Sequence, residues 1–174
     1  QVLAPRKGKK AHLVEMARLN AESVRKTKQQ KDIDTNTRTN ELKERLHLKT
    51  GPSVMECYDI SNWGGKLAVG SMVQFRDGKP AKENYRRFKI RQVEGANDYA
   101  MLHEVLQRRL AKGEAIAPLP NLIVVDGGKG QLNVALKVIR ERGLELIDVI
   151  SLAKGQKKRS RKEFTCTVSE IPEQ

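Results

Sequence analysis

Apolar positions along this chain change period twice. Leu13, Met16, Ala17, Ala21 and Val24 recur at helical spacing and predict an amphipathic helix over about residues 10–25. Lys26 to Asn40 is polar, with Ile33 its one large apolar residue. Thr35, Asn36, Thr37, Thr39 and Asn40 are poor helix-interior residues, so this stretch reads as a linker or a marginal helix. Glu41 to Leu48 regains helical spacing through Leu42, Leu46 and Leu48, and Gly51-Pro52 stops it.

From residue 54 the pattern is that of strands. Val54–Ser61 is the first, Asn62-Trp63-Gly64-Gly65 a turn, and Leu67–Phe75 the second. Asp77-Gly78 signals a hairpin, and Lys79-Pro80 is expected to lengthen its loop. Arg86–Ile90 alternates Phe88 and Ile90 with Arg87 and Lys89, a third strand. Three strands joined by turns predict an antiparallel meander. The period then becomes helical: Asp98 is placed to cap a helix with Tyr99, Leu102, Val105, Leu106 and Leu110 on its apolar face, ending at Gly113. Pro118 and Pro120 break the chain before Leu122–Val125, an uninterrupted apolar run as in a strand buried on both faces. A glycine turn, a helix bearing Leu132, Leu136 and Ile139 and closed by Gly143, and a fifth strand at Asp148–Ala153 follow. The order predicts an α/β fold: a mixed β-sheet with helices. At 174 residues the chain suits one domain plus an appendage, here residues 1–53 as a helical lead-in and linker and 54–174 as the domain.

Charge sets the class of partner. There are 34 Lys and Arg against 21 Asp and Glu, a formal net charge of +13, as expected of a domain that meets nucleic acid. Aromatic residues are scarce at 4%, so the core must rest on aliphatic side chains. Cys57 and Cys166 fit no metal-ligand spacing, and Cys57 reads as a small core residue. No apolar run approaches membrane-spanning length and no hydrophobic signal core opens the chain, which points to the cytoplasm and away from a membrane.

Two aspartates carry the candidate chemistry. Asp59 lies in the first strand and Asp126 ends the fourth. A carboxylate in such a place is costly unless something pairs with it or binds it. Hydrolysis of a phosphodiester needs charge neutralised and a water activated, and Mg²⁺ or Mn²⁺ held by carboxylates supplies both. The competing role for Asp126 is to open a turn and cap the next helix. Gly127-Gly128-Lys129-Gly130-Gln131 could cradle phosphate and bring Lys129 close to it, or be a tight turn; its spacing is that of neither a P-loop nor a dinucleotide fingerprint. Tyr85, Arg86 and Arg87 mix an aromatic with cations suited to bases and phosphates, or mark a charged edge strand. Lys154, Lys157, Lys158 and Arg159 belong to the densest basic run, suited to phosphate contact or to a solvated loop. His12, His47 and His103 read as surface residues, Asp98 and Glu104 as capping or surface-pairing ones. Alternation sets Glu56 off the Asp59 face and argues against it as a co-ligand.

Five motifs in order carry a resemblance. Glu56-Cys57-Tyr58-Asp59-Ile60-Ser61-Asn62, Tyr85-Arg86-Arg87-Phe88, Asp98-Tyr99, Leu122 through Asp126-Gly127-Gly128-Lys129-Gly130-Gln131-Leu132, and Leu152-Ala153-Lys154-Gly155 closely resemble the C-terminal endonuclease region of the UvrC family. The resemblance implies an RNase H-like mixed sheet flanked by helices. It also implies Mg²⁺- or Mn²⁺-dependent incision of damaged double-stranded DNA on the 5′ side of a lesion in bacterial nucleotide excision repair, with UvrB as partner. The family's metal-binding aspartates fall on Asp59 and Asp126. The GIY-YIG nuclease, the UvrB-binding motif and the helix-hairpin-helix module of that family have no counterpart in these residues. Its catalytic histidine segment is expected beyond residue 174, so the fragment alone is expected to be weakly active or inactive. The alternative from another class is a catalytically silent basic module that binds DNA or RNA.

Overall fold

The two periodicities become one mixed sheet with helices against it. The computed structural model describes residues 5, 7–63, 67–93, 95–111, 118–154 and 164–168, with the backbone alone for 62, 63, 67, 154 and 164–168. The chain divides into two compact units, Gln1–Arg38 and Thr39–Gln174.

The first unit is helical. Helix α1 spans Gly8–Arg45 without interruption, so the expected linker or marginal helix at 26–40 is continuous helix. Its threonines explain how. The hydroxyls of Thr27, Thr35 and Thr37 donate to the carbonyls of Ser23, Lys31 and Ile33 at 3.0, 2.7 and 3.0 Å. Spent on the carbonyl four residues back, they do not compete for the backbone in another conformation. Exposed ion pairs Arg18–Glu15 (2.8 Å), Arg18–Glu22 (3.5 Å) and Lys26–Glu22 (3.6 Å) lie along it, each a weak contribution screened by solvent. Leu13, Met16 and Val24, expected to form an apolar face, are exposed.

The second unit holds the sheet. Strands β1 (Val54–Trp63), β2 (Leu67–Arg76), β3 (Lys79–Pro80), β4 (Arg86–Lys89), β5 (Leu122–Asp126), β6 (Asp148–Lys154) and β7 (Phe164–Val168) form it, with α2 (Asp98–Ala111) and α3 (Lys129–Glu141). The order is β3-β2-β1-β5-β6-β7, and β4 also pairs with β2. The expected meander is present: β1 pairs antiparallel with β2, and β2 with β4. β5 and β6 continue the sheet in parallel with β1, and β7 returns antiparallel. The hairpin after β2 is tighter than expected. Asp77 (φ 48°) and Gly78 (φ 70°) alone make the turn, and Lys79–Pro80 pairs with Arg76 and Phe75. Positive φ at both central residues matches the twist of a two-residue hairpin, and Pro80 is tolerated because its strand lies on the sheet edge.

One face of the sheet carries the main core. Tyr58, Met72, Phe88, Ile123, Val125 and Val149 pack there against Leu102, Val105, Leu106 and Leu110 of α2 and Leu132, Ala135, Val138 and Ile139 of α3. Gly70 lets α2 approach: a Cβ there would lie 2.5 Å from Val105 Cγ2. The cap of α2 is Asn97 and not Asp98, since Asn97 Oδ1 accepts the Ala100 N–H at 3.1 Å. On the opposite face Leu122, Val124 and Ile150 are covered by Leu48, with Leu42 and Leu46 beside it.

Candidate functional site

Strand register decides which side chains can act together. β1 and β5 run parallel with Met55 opposite Leu122 and Tyr58 opposite Val125. One step beyond stand Asp59 and Asp126. Side chains alternate between faces, so these two share the face of Cys57 and Val124, on neighbouring strands about 4.8 Å apart. Both are exposed. Ser61, two residues along on the same face, donates its hydroxyl to Asp59 Oδ2 at 2.9 Å. Neither carboxylate is in an ion pair among the described residues. The donor set suits a hard cation: Mg²⁺ keeps several waters and needs one or two carboxylates plus phosphate oxygens. Among the described residues no group of three or more His, Cys, Asp or Glu converges as a metal site.

Asp126 is the last residue of β5. It borders a cleft of about 80 Å³ lined also by Tyr58, Ile60, Asp98, Leu102, Val125 and Gln131, which Asp59 does not line. The glycine turn follows. Gly127 N–H donates to Leu152 O at 3.0 Å, and Gly128 N–H donates to Gln131 Oε1 at 3.1 Å. Gly130 lies close to the Tyr99 ring: a Cβ there would lie 2.5 Å from Tyr99 Cε1. Tyr99 thus joins the start of α2 to the start of α3. Lys129, the first residue of α3, is exposed.

The other expected cations separate. In β4, Arg87 pairs with Ser71 of β2, and Ser71 pairs with Asp59. Arg87 therefore lies on the aspartate face and is exposed. Arg86 lies on the helix-covered face with Phe88, and its Nη1 donates to Glu83 O at 2.7 Å and Tyr85 O at 2.9 Å. Tyr85 is half-buried. Lys154 ends β6, whereas Lys157, Lys158 and Arg159 lie outside the described residues.

Glu56 is fully buried on the helix side, opposite to Asp59. It accepts from Tyr58 Oη (2.6 Å), Gln74 Nε2 (3.0 Å) and Arg109 Nη2 (2.8 Å), and Arg109 is buried as well. Arg109 also donates to Pro118 O at 2.9 Å. Sequence reasoning excluded Glu56 as a ligand but missed this network. Its trace is legible: Glu56 shares the parity of Tyr58, and Arg109 follows Leu102, Val105 and Leu106 on the apolar face of α2. Glu104, expected at the surface, is buried too, accepting from the Arg91 and Gln92 N–H groups and pairing with Arg108 at 3.0 Å. His103 stands 3.4 Å from Glu141. Burial first, then the Glu56 charge, pushes the Cys57 thiol up to about 11, and the same two causes hold the Tyr58 hydroxyl well above its ordinary value.

A family model described as the UvrC RNAse H endonuclease domain matches residues 43–173. The chain belongs to this family. UvrABC system protein C of Geobacter metallireducens is 49% identical over 158 residues, covering 91% of this chain and 26% of that protein. The protein of the same name in Syntrophus aciditrophicus is 49% identical over 153 residues, covering 88% and 24%. In Desulfotalea psychrophila the identity is 42% over 165 residues, covering 94% and 27%. The chain therefore spans about a quarter of the length of these UvrC relatives. Among solved structures, endonuclease V of Ciona intestinalis in complex with a 24mer DNA containing an inosine followed by a ribo-adenosine is similar at a TM-score of 0.45. That likeness has 16% identity and covers 75% of this chain and 60% of that one. Endonuclease V of Streptomyces avermitilis gives a TM-score of 0.44 with 15% identity, covering 78% and 65%.

Proposed function

We propose that the chain is part of a metal-dependent DNA endonuclease that makes the 5′ incision beside damaged nucleotides in bacterial nucleotide excision repair. What supports this reading is the parallel register of β1 and β5, which runs to Tyr58 and Val125, the residues just before Asp59 and Asp126, in a chain of the UvrC endonuclease family. The two carboxylates would hold Mg²⁺ or Mn²⁺. When bound, the ion supplies neutralisation of charge on the phosphate and activation of water for attack. Ser61, donating to Asp59, fixes that carboxylate's orientation. The chain's excess of cations draws the DNA backbone to the protein. Arg87 and Lys129, both exposed, are the best placed of the expected phosphate contacts, and Lys154 ends the strand that pairs with β5. Residues 1–53 lead into the first strand of the nuclease fold, which begins at 54. The partners are damaged duplex DNA and UvrB in the pre-incision complex. No helix among the described residues is long and apolar enough to cross a membrane, consistent with work on DNA in the cytoplasm.

The test is incision of a 5′-labelled damaged duplex by the full-length protein. Asp59→Asn or Asp126→Asn should abolish 5′ cutting, a loss on the order of 10³-fold or more, and leave DNA binding intact. Normal cutting by either variant would refute the assignment.

A further inference from the structure

Register links β1, β2 and β4 at Asp59. Asp59 and Asp126 each lie one step past the last β1–β5 pair, Tyr58 with Val125; Asp59 is paired with Ser71 on β2, and Ser71 with Arg87 on β4. Directly paired residues share a face, so Arg87, Ser71 and Asp59 form one row across the sheet. A second row on that face holds Lys89, Val69 and Ser61. Asp59, Ser61, Arg87 and Lys89 are all exposed, and Ser71 and Val69 half-buried, so this end of the face lies open. The helices α2 and α3 cover the other face.

We propose that these two rows are a track for the backbone of the DNA strand being cut. The strand crosses β1, β2 and β4, with Arg87 and Lys89 holding phosphates next to the cleaved bond and Ser71 forming the floor between. This rests on the nuclease reading above and extends it. The sign of the charges argues for the occupant: cations at one end, and a carboxylate pair suited to a divalent cation at the other, complement a line of phosphates. Steps of about 4.8 Å put Arg87 about 10 Å from Asp59, within about three phosphates of the cut. Arg86 is excluded although it is adjacent in sequence. It lies on the opposite face and is tied to Glu83 O and Tyr85 O. Ser71 and Lys89 enter as contacts that the motif alone does not single out. The rival account of the β4 charges is that they only keep an edge strand from pairing with other chains, and it treats both faces alike.

The test compares Arg87→Ala/Lys89→Ala, Arg86→Ala and Ser71→Glu in the full-length protein. Equilibrium binding to a damaged duplex without metal is measured over a range of salt, and incision with Mn²⁺ alongside. The double variant should bind about tenfold or more weakly, raise KM rather than lower kcat, and flatten the salt dependence by about one to two phosphates. Ser71→Glu, which sets a negative charge in the row, should weaken binding similarly, and Arg86→Ala should stay within about twofold of wild type. A methylphosphonate within about three nucleotides of the cut should slow the wild type and add nothing to the double variant. Equal losses from Arg86→Ala and the double variant would overturn the track, as would an unchanged salt slope. Asp59→Asn in the same assays separates the two claims. If it cuts normally, the nuclease reading fails. If it does not cut, while the double variant binds as wild type, only the track fails.

Discussion

Glu56 and Asp59 are three residues apart on one strand and have opposite fates, because an odd spacing sends them to opposite faces. Asp59 keeps its charge in the open, available to a ligand. Glu56 is sealed in and matched by Arg109 at 2.8 Å. Removing one partner of such a pair leaves a buried charge unanswered, so Glu56→Gln should cost about 3–5 kcal/mol, read by urea unfolding. Glu56→Gln with Arg109→Met removes both charges and should recover most of that loss. A double variant no more stable than Glu56→Gln would show that the ion pair is not what the single variant breaks. Cys57 offers a second check. Its thiol proton is held to about 11 against an ordinary 9.0. Between these values the unfolded chain has released a proton that the folded chain keeps, so stability falls as pH rises through that window. In a Cys166→Ser background, alkylation of Cys57 should be slow at pH 8 and accelerate toward about pH 11. Fast labelling at pH 8 would contradict the burial.

At the scale of elements, α2 is seated by a missing side chain. Gly70 of β2 receives Val105, and Gly70→Ala forces overlap in the core, with an expected loss of about 1–3 kcal/mol in thermal or urea unfolding. A neutral Gly70→Ala would mean that α2 sits farther from β2. What the sequence made legible at this scale followed from strong periodicity. The meander, the buried run Leu122–Val125 and the two core helices were readable because each pattern had one solution. Residues 26–40 read as linker or marginal helix because intrinsic propensity ranks Thr and Asn as poor helix-interior residues, and helix is what the structure has. Asn97 was passed over as a cap because Asp98, its neighbour, has equal propensity; only the bond to Ala100 N–H separates them. The aspartates were legible as residue types, but their adjacency was not. It depends on register between strands more than sixty residues apart, which no local pattern encodes. The same holds for Arg87 against Arg86: neighbours in the motif, opposite faces in the sheet.

The second unit is a sheet with a helix-covered side and a side that is apolar at one end and charged at the other. Leu42, Leu46 and Leu48 cover that second side around Leu122, Val124 and Ile150, and stop short of the aspartates. The polar end is thereby left to solvent, where carboxylates can take a cation and a chain of net charge +13 can meet a polyanion. All of this converges on one claim, that Asp59 and Asp126 hold the same metal ion. Anomalous scattering from crystals soaked in Mn²⁺ tests it most directly. The account predicts a peak at about 2.1 Å from an oxygen of each carboxylate, lost in Asp59→Asn. A peak that contacts only one of the two, or none with the carboxylates turned apart, would contradict it.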